Sequence, residues 1–211
     1  MSQAMDSMCR MRTPVRSAAL LVAAALTLTG CSTLIPTPQE TSGSSSEVEA
    51  EETTAGELDA VPATGATIAG DGYTFIAPAG WEDPQQEIPG FDPDSFAANL
   101  QDADGFADNV NVLKSPVGVV TPDQVETLGL KELETVGATD VVVHDRVVVA
   151  DSESAHISAA MSSEGVSYVV DQYYVSSADQ TYVVTFSFSD TVPAADRQQT
   201  AESVLVTWSW V

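Results

Sequence analysis

Basic residues are scarce in this chain. Its 211 residues include 7 Lys and Arg against 31 Asp and Glu, a net charge of −24. Sequence-independent nucleic-acid binding is excluded as a main role, because it needs clustered Lys and Arg to displace phosphate counterions. Cysteine occurs only at Cys9 and Cys31, and histidine only at His144 and His156. A disulfide framework and a His-rich or Cys-rich zinc site are therefore not expected. The apolar run at 17–29 has 13 residues, short of the ~20 that a membrane-spanning helix needs. Aromatic residues are missing before Tyr73, and all 3 Trp, 5 Tyr and 6 Phe lie between Tyr73 and Trp210.

The basic residues are unevenly placed. Arg10, Arg12 and Arg16 precede the run Ser17–Thr29. A basic segment before a short apolar stretch reads as a secretory signal. Leu28-Thr29-Gly30-Cys31 follows at once and resembles the bacterial lipobox. That resemblance implies cleavage before Cys31 and diacylglyceryl modification of its thiol. An acylated Cys31 with two or three chains would hold the protein stably at a bilayer. Cys9 would be discarded with residues 1–30, and Met5, Met8 and Met11 are alternative starts. An ordinary cleaved signal with a chance cysteine is the plainer alternative.

Residues 32–70 contain no Lys, Arg, Phe, Tyr or Trp and are rich in Ser, Thr, Ala, Gly, Pro and Glu. Such a segment buries too little apolar surface to offset its ordering entropy. Residues 31–70 are therefore expected to be a disordered acidic tether. About 40 residues of this kind span on the order of 35 Å, and like charges extend the reach.

Residues 71–211 are the expected globular domain. Val141–Val149, Ala155–Met161, Val166–Val175 and Tyr182–Phe188 are β-branched or alternating runs separated by short turns, which predicts an antiparallel meander. Earlier strands are expected at Tyr73–Ala77 and Phe106–Leu113, and a short helical piece at Asp94–Leu100. Thr121-Pro122-Asp123-Gln124 reads as a capping box opening a helix. Val125, Leu128, Leu133 and Val136 share a face of that helix, but so do Gly129 and Glu132. Either the helix is irregular there or Glu132 borders something. A last helix follows Pro193, with Ala194, Ala201, Leu205 and Trp208 on one face. The class is α+β: an antiparallel β-sheet meander with flanking helices.

Phe75-Ile76-Ala77-Pro78-Ala79-Gly80-Trp81 is a strand followed by Pro-x-Gly-Trp. Phe106–Val112 makes a second strand, and Tyr182–Phe188 leads to a helix ending at Trp208-Ser209-Trp210. With the lipobox, residues 72–211 resemble actinobacterial lipoproteins of the LpqN/LpqT type, within the PsbP-like superfamily. The resemblance implies an α/β/α sandwich around an antiparallel sheet. It implies a non-enzymatic binding or accessory role in the cell envelope, and it carries over no catalytic residues.

The chemistry of enzymes is hard to find in the sequence. His144-Asp145 are strand neighbours pointing to opposite faces, so they do not pair as base and orienter. There is no Gly-x-Ser-x-Gly elbow, Ser-x-x-Lys, phosphate loop or dinucleotide fingerprint. His156 alternates outward with Ser158 and reads as a surface strand residue. Asp102, Asp104 and Asp108 crowd one Gly-containing turn. They form a weak calcium candidate, because hard cations want several oxygens, beside the plainer reading of a solvated turn. The segment Pro84–Phe96, with Ile88, Phe91 and Phe96, either offers a contact surface or folds back on the core.

The sequence thus points to a lipid-anchored binding or adaptor protein on the extracytoplasmic face of the cell membrane. It is expected to have no catalytic residue and no cofactor, and to have an envelope protein as partner. The alternative is a carrier holding a small or lipidic ligand between sheet and helix, whose sign would be a large apolar cavity and against which a solid core there would count.

Overall fold

The computed structural model describes residues 55–85 and 90–211. Cys31 and residues 31–54 of the expected tether lie outside them. Ten strands and three α-helical segments follow one another. The early strands are β1 (Gly56–Glu57), β2 (Thr67–Gly70), β3 (Tyr73–Ile76), β4 (Ser95–Ala98) and β5 (Asn109–Lys114). Then come α1 (Pro122–Gln124), a π-helical turn (Val125–Gly129) and α2 (Leu130–Thr135). The meander is β6 (Thr139–Val149), β7 (Ser152–Ser163), β8 (Val166–Ser176) and β9 (Thr181–Ser189). Helix α3 (Ala194–Leu205) and β10 (Ser209–Trp210) close the chain.

The large sheet has the order β1-β6-β7-β8-β9-β5-β4. It is antiparallel throughout except for β1, which runs parallel to β6 and pairs Gly56 with Val147. A smaller sheet has the order β10-β3-β2. The chain is therefore α+β, and β6 to β9 form the expected meander.

Alternation along the strands makes two cores. Tyr173, Val175, Tyr182, Val184, Phe186 and Phe188 face Ala201, Val204 and Leu205 of α3 together with Tyr73 and Phe75 of β3. Tyr73 stacks on Trp208 with ring centroids 4.2 Å apart. Each fully buried aromatic of this kind stabilises by roughly 2–3 kcal/mol through area alone. The opposite face carries Ala155, Ile157, Ala159, Val170, Tyr174 and Val183, packed against Val125 and Leu133 of the first helical region.

Four local expectations need correction. Asp94–Leu100 is not helical: Ser95–Ala98 is a fully buried strand paired with β5. Four apolar-rich residues carry no usable period, and the sheet decides their state. The second strand starts at Asn109 rather than Phe106, because the Phe106 amide donates to Asp104 Oδ1 and keeps that stretch in the turn. The chain after Leu205 leaves the helix, and Ser209–Trp210 pairs antiparallel with Tyr73–Thr74. The expected tether also ends too late. Residues 56–57 and 67–70 are strands, and Ala63 is buried with its amide donating to Ser203 O at 2.8 Å. Small Ala and Gly residues read as solvated from composition, yet Gly65 fits where nothing larger does.

Candidate functional site

Thr121 caps α1 as expected, with its hydroxyl accepting from the Gln124 amide while Gln124 Oε1 accepts from the Thr121 amide at 2.9 Å. The helix then widens into the π turn. The extra residue in that turn rotates the face: Val125, Gly129 and Leu133 stay buried, whereas Leu128 and Val136 are exposed. The irregularity expected near Gly129 is thus present, and Glu132 also borders a cavity.

This cavity, of about 270 Å³, opens between the helical region and strands β8 and β9. Tyr174 and Val183 form its floor, Val125, Leu128, Gly129 and Glu132 one wall, and Val117, Val119 and Val120 the other. Its size falls just below the roughly 300–1,000 Å³ of small-molecule sites. Three of the exposed large hydrophobics, Val117, Val119 and Leu128, ring its mouth. Apolar side chains gathered at a concave site are the usual mark of a ligand surface.

The walls are held in place. The Ser115 amide donates to Thr181 O at 2.8 Å, and the Val120 amide to Thr181 Oγ1 at 2.9 Å. Gln180 Nε2 donates to Ser115 O at 2.9 Å. Opposite, Arg146 of β6 reaches the helical region. Its Nε donates to Glu126 Oε1 at 2.6 Å and its Nη2 to Glu126 Oε2 at 2.8 Å, with Asp123 also bound.

Ser115, Gln124, Glu132 and Tyr174 are the polar residues of the lining, and the last two lie beside its apolar wall and floor. Glu132 is partly buried, and burial pushes its carboxyl above the usual range. Tyr174 Oη donates to Gln172 Oε1 at 3.2 Å, and burial, then the charge of Glu132, pushes the phenol up. Glu132 left a trace in the sequence as the polar interruption of an apolar helical face, and Tyr174 is one of the strand tyrosines that either fill the core or line a cleft.

A second cluster lies on the other face of the sheet. His156 is buried, not a surface residue: its ring stacks between His144, at 4.2 Å, and Tyr173, at 4.1 Å. Its Nε2 lies 3.2 Å from Asp171 Oδ1, and Arg197 of α3 donates to Asp171 Oδ2 at 3.2 Å. Helix α3 over this face is what the strand pattern could not reveal. His144 pairs with Ser158, through Nε2 and Oγ at 2.7 Å, and not with Asp145. The sequence discounted a histidine metal set, yet His144, His156 and Asp171 bring ligand atoms within 4.8 Å of one another. Both Asp171 oxygens are already engaged, and the two rings stack instead of converging on a point. His156 and Asp171 form a buried polar tie between α3 and the sheet, with the exposed His144 ring at its edge.

The acidic turn is tied down as well. Asp104 Oδ1 accepts from the Phe106 amide at 2.9 Å, and Asp108 Oδ1 accepts from the Ser189 amide at 2.9 Å. Asp102 Oδ2 accepts from Asn99 Nδ2 at 3.3 Å. These carboxylates serve the turn between β4 and β5 and its contact with the end of β9. Within the Pro84–Phe96 segment, Phe91 packs edge-on against Phe96, which is buried.

Among the described residues no helix is long and apolar enough to cross a membrane. No family model and no curated protein matches the chain. A solved structure of a Bacteroides thetaiotaomicron protein is similar over 70% of this chain, with 14% identity and a TM-score of 0.45. The aligned part covers 49% of that protein, so this chain spans about half of its length.

Proposed function

We propose that this chain is a lipid-anchored, non-enzymatic binding protein of the cell envelope that holds a small, mainly apolar ligand in the cleft between the π turn and β8–β9. The carrying observation is the cleft itself: about 270 Å³, apolar in its walls, with Glu132 and the Tyr174 hydroxyl inside. The anchor at Cys31 rests on the lipobox and the basic, apolar leader. The α+β class agrees with the LpqN/LpqT resemblance, and the α/β/α sandwich of the PsbP-like superfamily is part of this reading. Helical regions that pack against opposite faces of the meander support it.

The test is a methyl NMR titration of the full-length chain with cyclohexylmethanol. Saturable shifts at Val183, Leu128 and Val125 support the reading. Their absence, or equal shifts in a Val183→Phe variant whose floor is filled, contradicts it. Leu128→Trp, changed at an exposed position, blocks the mouth without touching the core.

A protein partner is the second reading, and the edge of β6 favours it. Val142 and Val143 are exposed there, and among the described residues β1 covers only Val147 and Val148. A free β-branched edge can accept an added strand. Cross-linking at the β6 edge that captures one stoichiometric envelope protein would favour this reading over the carrier.

A further inference from the structure

We infer that the cleft selects a small amphiphilic cation, with an apolar body of about ten non-hydrogen atoms and an amine that meets Glu132 and Tyr174. This rests on the cleft being a ligand site, and it goes further by assigning the sign of the ligand's charge.

Hydrogen-bond capacity sets the sign of the ligand. An ionised carboxylate only accepts. The Tyr174 hydroxyl spends its proton on Gln172 Oε1, so towards the cleft it too is an acceptor. Two acceptors of this kind, set among Val117, Val120, Leu128 and Val183, call for a ligand that donates. An ammonium donates three times and carries the opposite charge.

Among the described residues Glu132 also has no counter-ion of its own. The described basic residues are committed elsewhere: Lys114 to Asp71 and Asp94, Arg146 to Asp123, Glu126 and Glu153, Arg197 to Asp171. Lys131, its neighbour, is exposed on another side of the helix and forms no ion pair with it among the described residues. A half-buried carboxylate in an apolar wall costs stability unless something pairs with it. A bound ammonium would supply that charge beside a carboxyl that burial pushes above its usual range.

The opposing features are the Gln124 amide nitrogen and the Ser115 hydroxyl, which offer neutral donors in the lining. A neutral donor is roughly half as strong as a charge-assisted one, so the carboxylate decides the preference. The wider field agrees, since a net charge of −24 draws cations and repels anions.

The size limit comes from the cavity. At about 270 Å³ it accommodates a ring or a short branched chain, not a full acyl chain. Longer ligands would have to leave by the mouth between Val119 and Leu128.

The experiment uses three probes of one shape on the full-length chain at pH 7.5: cyclohexylmethylammonium, cyclohexylmethanol and cyclohexanecarboxylate. Calorimetric titration should show the ammonium binding about tenfold tighter than the alcohol, and the carboxylate weaker than both. Glu132→Gln should bring the ammonium to within about twofold of the alcohol. Alcohol binding with no ammonium preference overturns this inference and leaves the ligand cleft standing. A carboxylate that binds as tightly as the ammonium overturns it too. Failure of all three probes overturns both the inference and the carrier reading beneath it.

Discussion

Arg146 Nε donates to Glu126 Oε1 at 2.6 Å, and this pair joins the β6 strand to the π turn that walls the cleft. The β6–β7 register is irregular between His144 and Val147, and Arg146 lies within that irregularity. His144 faces the α3 side, while Arg146 reaches the other side. The guanidinium grips both oxygens of Glu126, so geometry as well as charge holds the turn.

Arg146→Ala is therefore expected to lower stability by about 1–2 kcal/mol, above the usual return of a surface ion pair because the contact is bidentate and partly buried. Arg146→Lys should recover less than half of the loss, since an ammonium cannot make the fork. Urea unfolding of the two variants beside the parent checks this. Equal stability of all three would show that the tie contributes nothing.

The His144–His156–Asp171 row sets a pH dependence. Burial holds the His144 ring below its ordinary value, and the neighbouring His156 adds to this. The unfolded chain then binds a proton near pH 6.5 that the folded chain takes up only at lower pH. Stability should fall as pH drops below about 6.5. Burial alone would raise the Asp171 carboxyl, but its contacts with His156 and Arg197 together hold it low. Its contribution is present above pH 4 and is lost as pH falls through its depressed value. His144→Gln should flatten the loss between pH 6.5 and 5 and leave the steep loss below pH 4. An unchanged profile in thermal melts from pH 7 to 3 would contradict the assignment.

Asp108 acts in the opposite direction. Burial pushes its carboxyl up to about 6, against the Ser189 amide that lowers it and with the charges of Asp102 and Asp104 adding to the rise. The folded state holds this proton more tightly than the unfolded one, so its contribution to stability declines as pH rises from about 4 to 6. Asp108→Asn keeps an acceptor for the Ser189 amide and removes the charge. The variant should be more stable than the parent by ~1 kcal/mol at pH 7, after allowance for screening at a half-exposed site, and equal to it at pH 4. A loss of stability at pH 7 would show that the charge is needed in the turn.

Gly65 tests where the fold begins. A Cβ at this position would lie 2.3 Å from Pro78 O and 2.5 Å from Ala77 O, both backbone atoms that cannot step aside cheaply. The Gly65 amide donates to Ala77 O at 2.8 Å, so the two segments are locked together. Gly65→Ala should cost more than about 2 kcal/mol. A neutral substitution, measured by chemical denaturation, would return residues 56–70 to the tether.

The meander was legible because its strands carry strong period-2 alternation and short turns, and their partners are consecutive in sequence. The Thr121 capping box was legible for a similar reason: its signal is local. What depended on distant contacts was not. Ser95–Ala98 is a strand because β5 lies beside it, and Thr67–Gly70 is a strand because β3 does. His156 looks outward along β7 until α3, some forty residues later, brings Arg197 to Asp171 and closes that face. The cleft left one trace in the sequence, the misplaced Gly129 and Glu132 on an otherwise apolar helical face. That conflict of pattern marked both the π turn and the site.

Native mass spectrometry of the full-length chain isolated from the cells that make it tests the central claim most directly. The expected result is one small-molecule adduct per chain, carrying a basic nitrogen and missing from the Leu128→Trp variant. A chain that emerges without an adduct, or with one stoichiometric protein partner and an empty cleft, would contradict it.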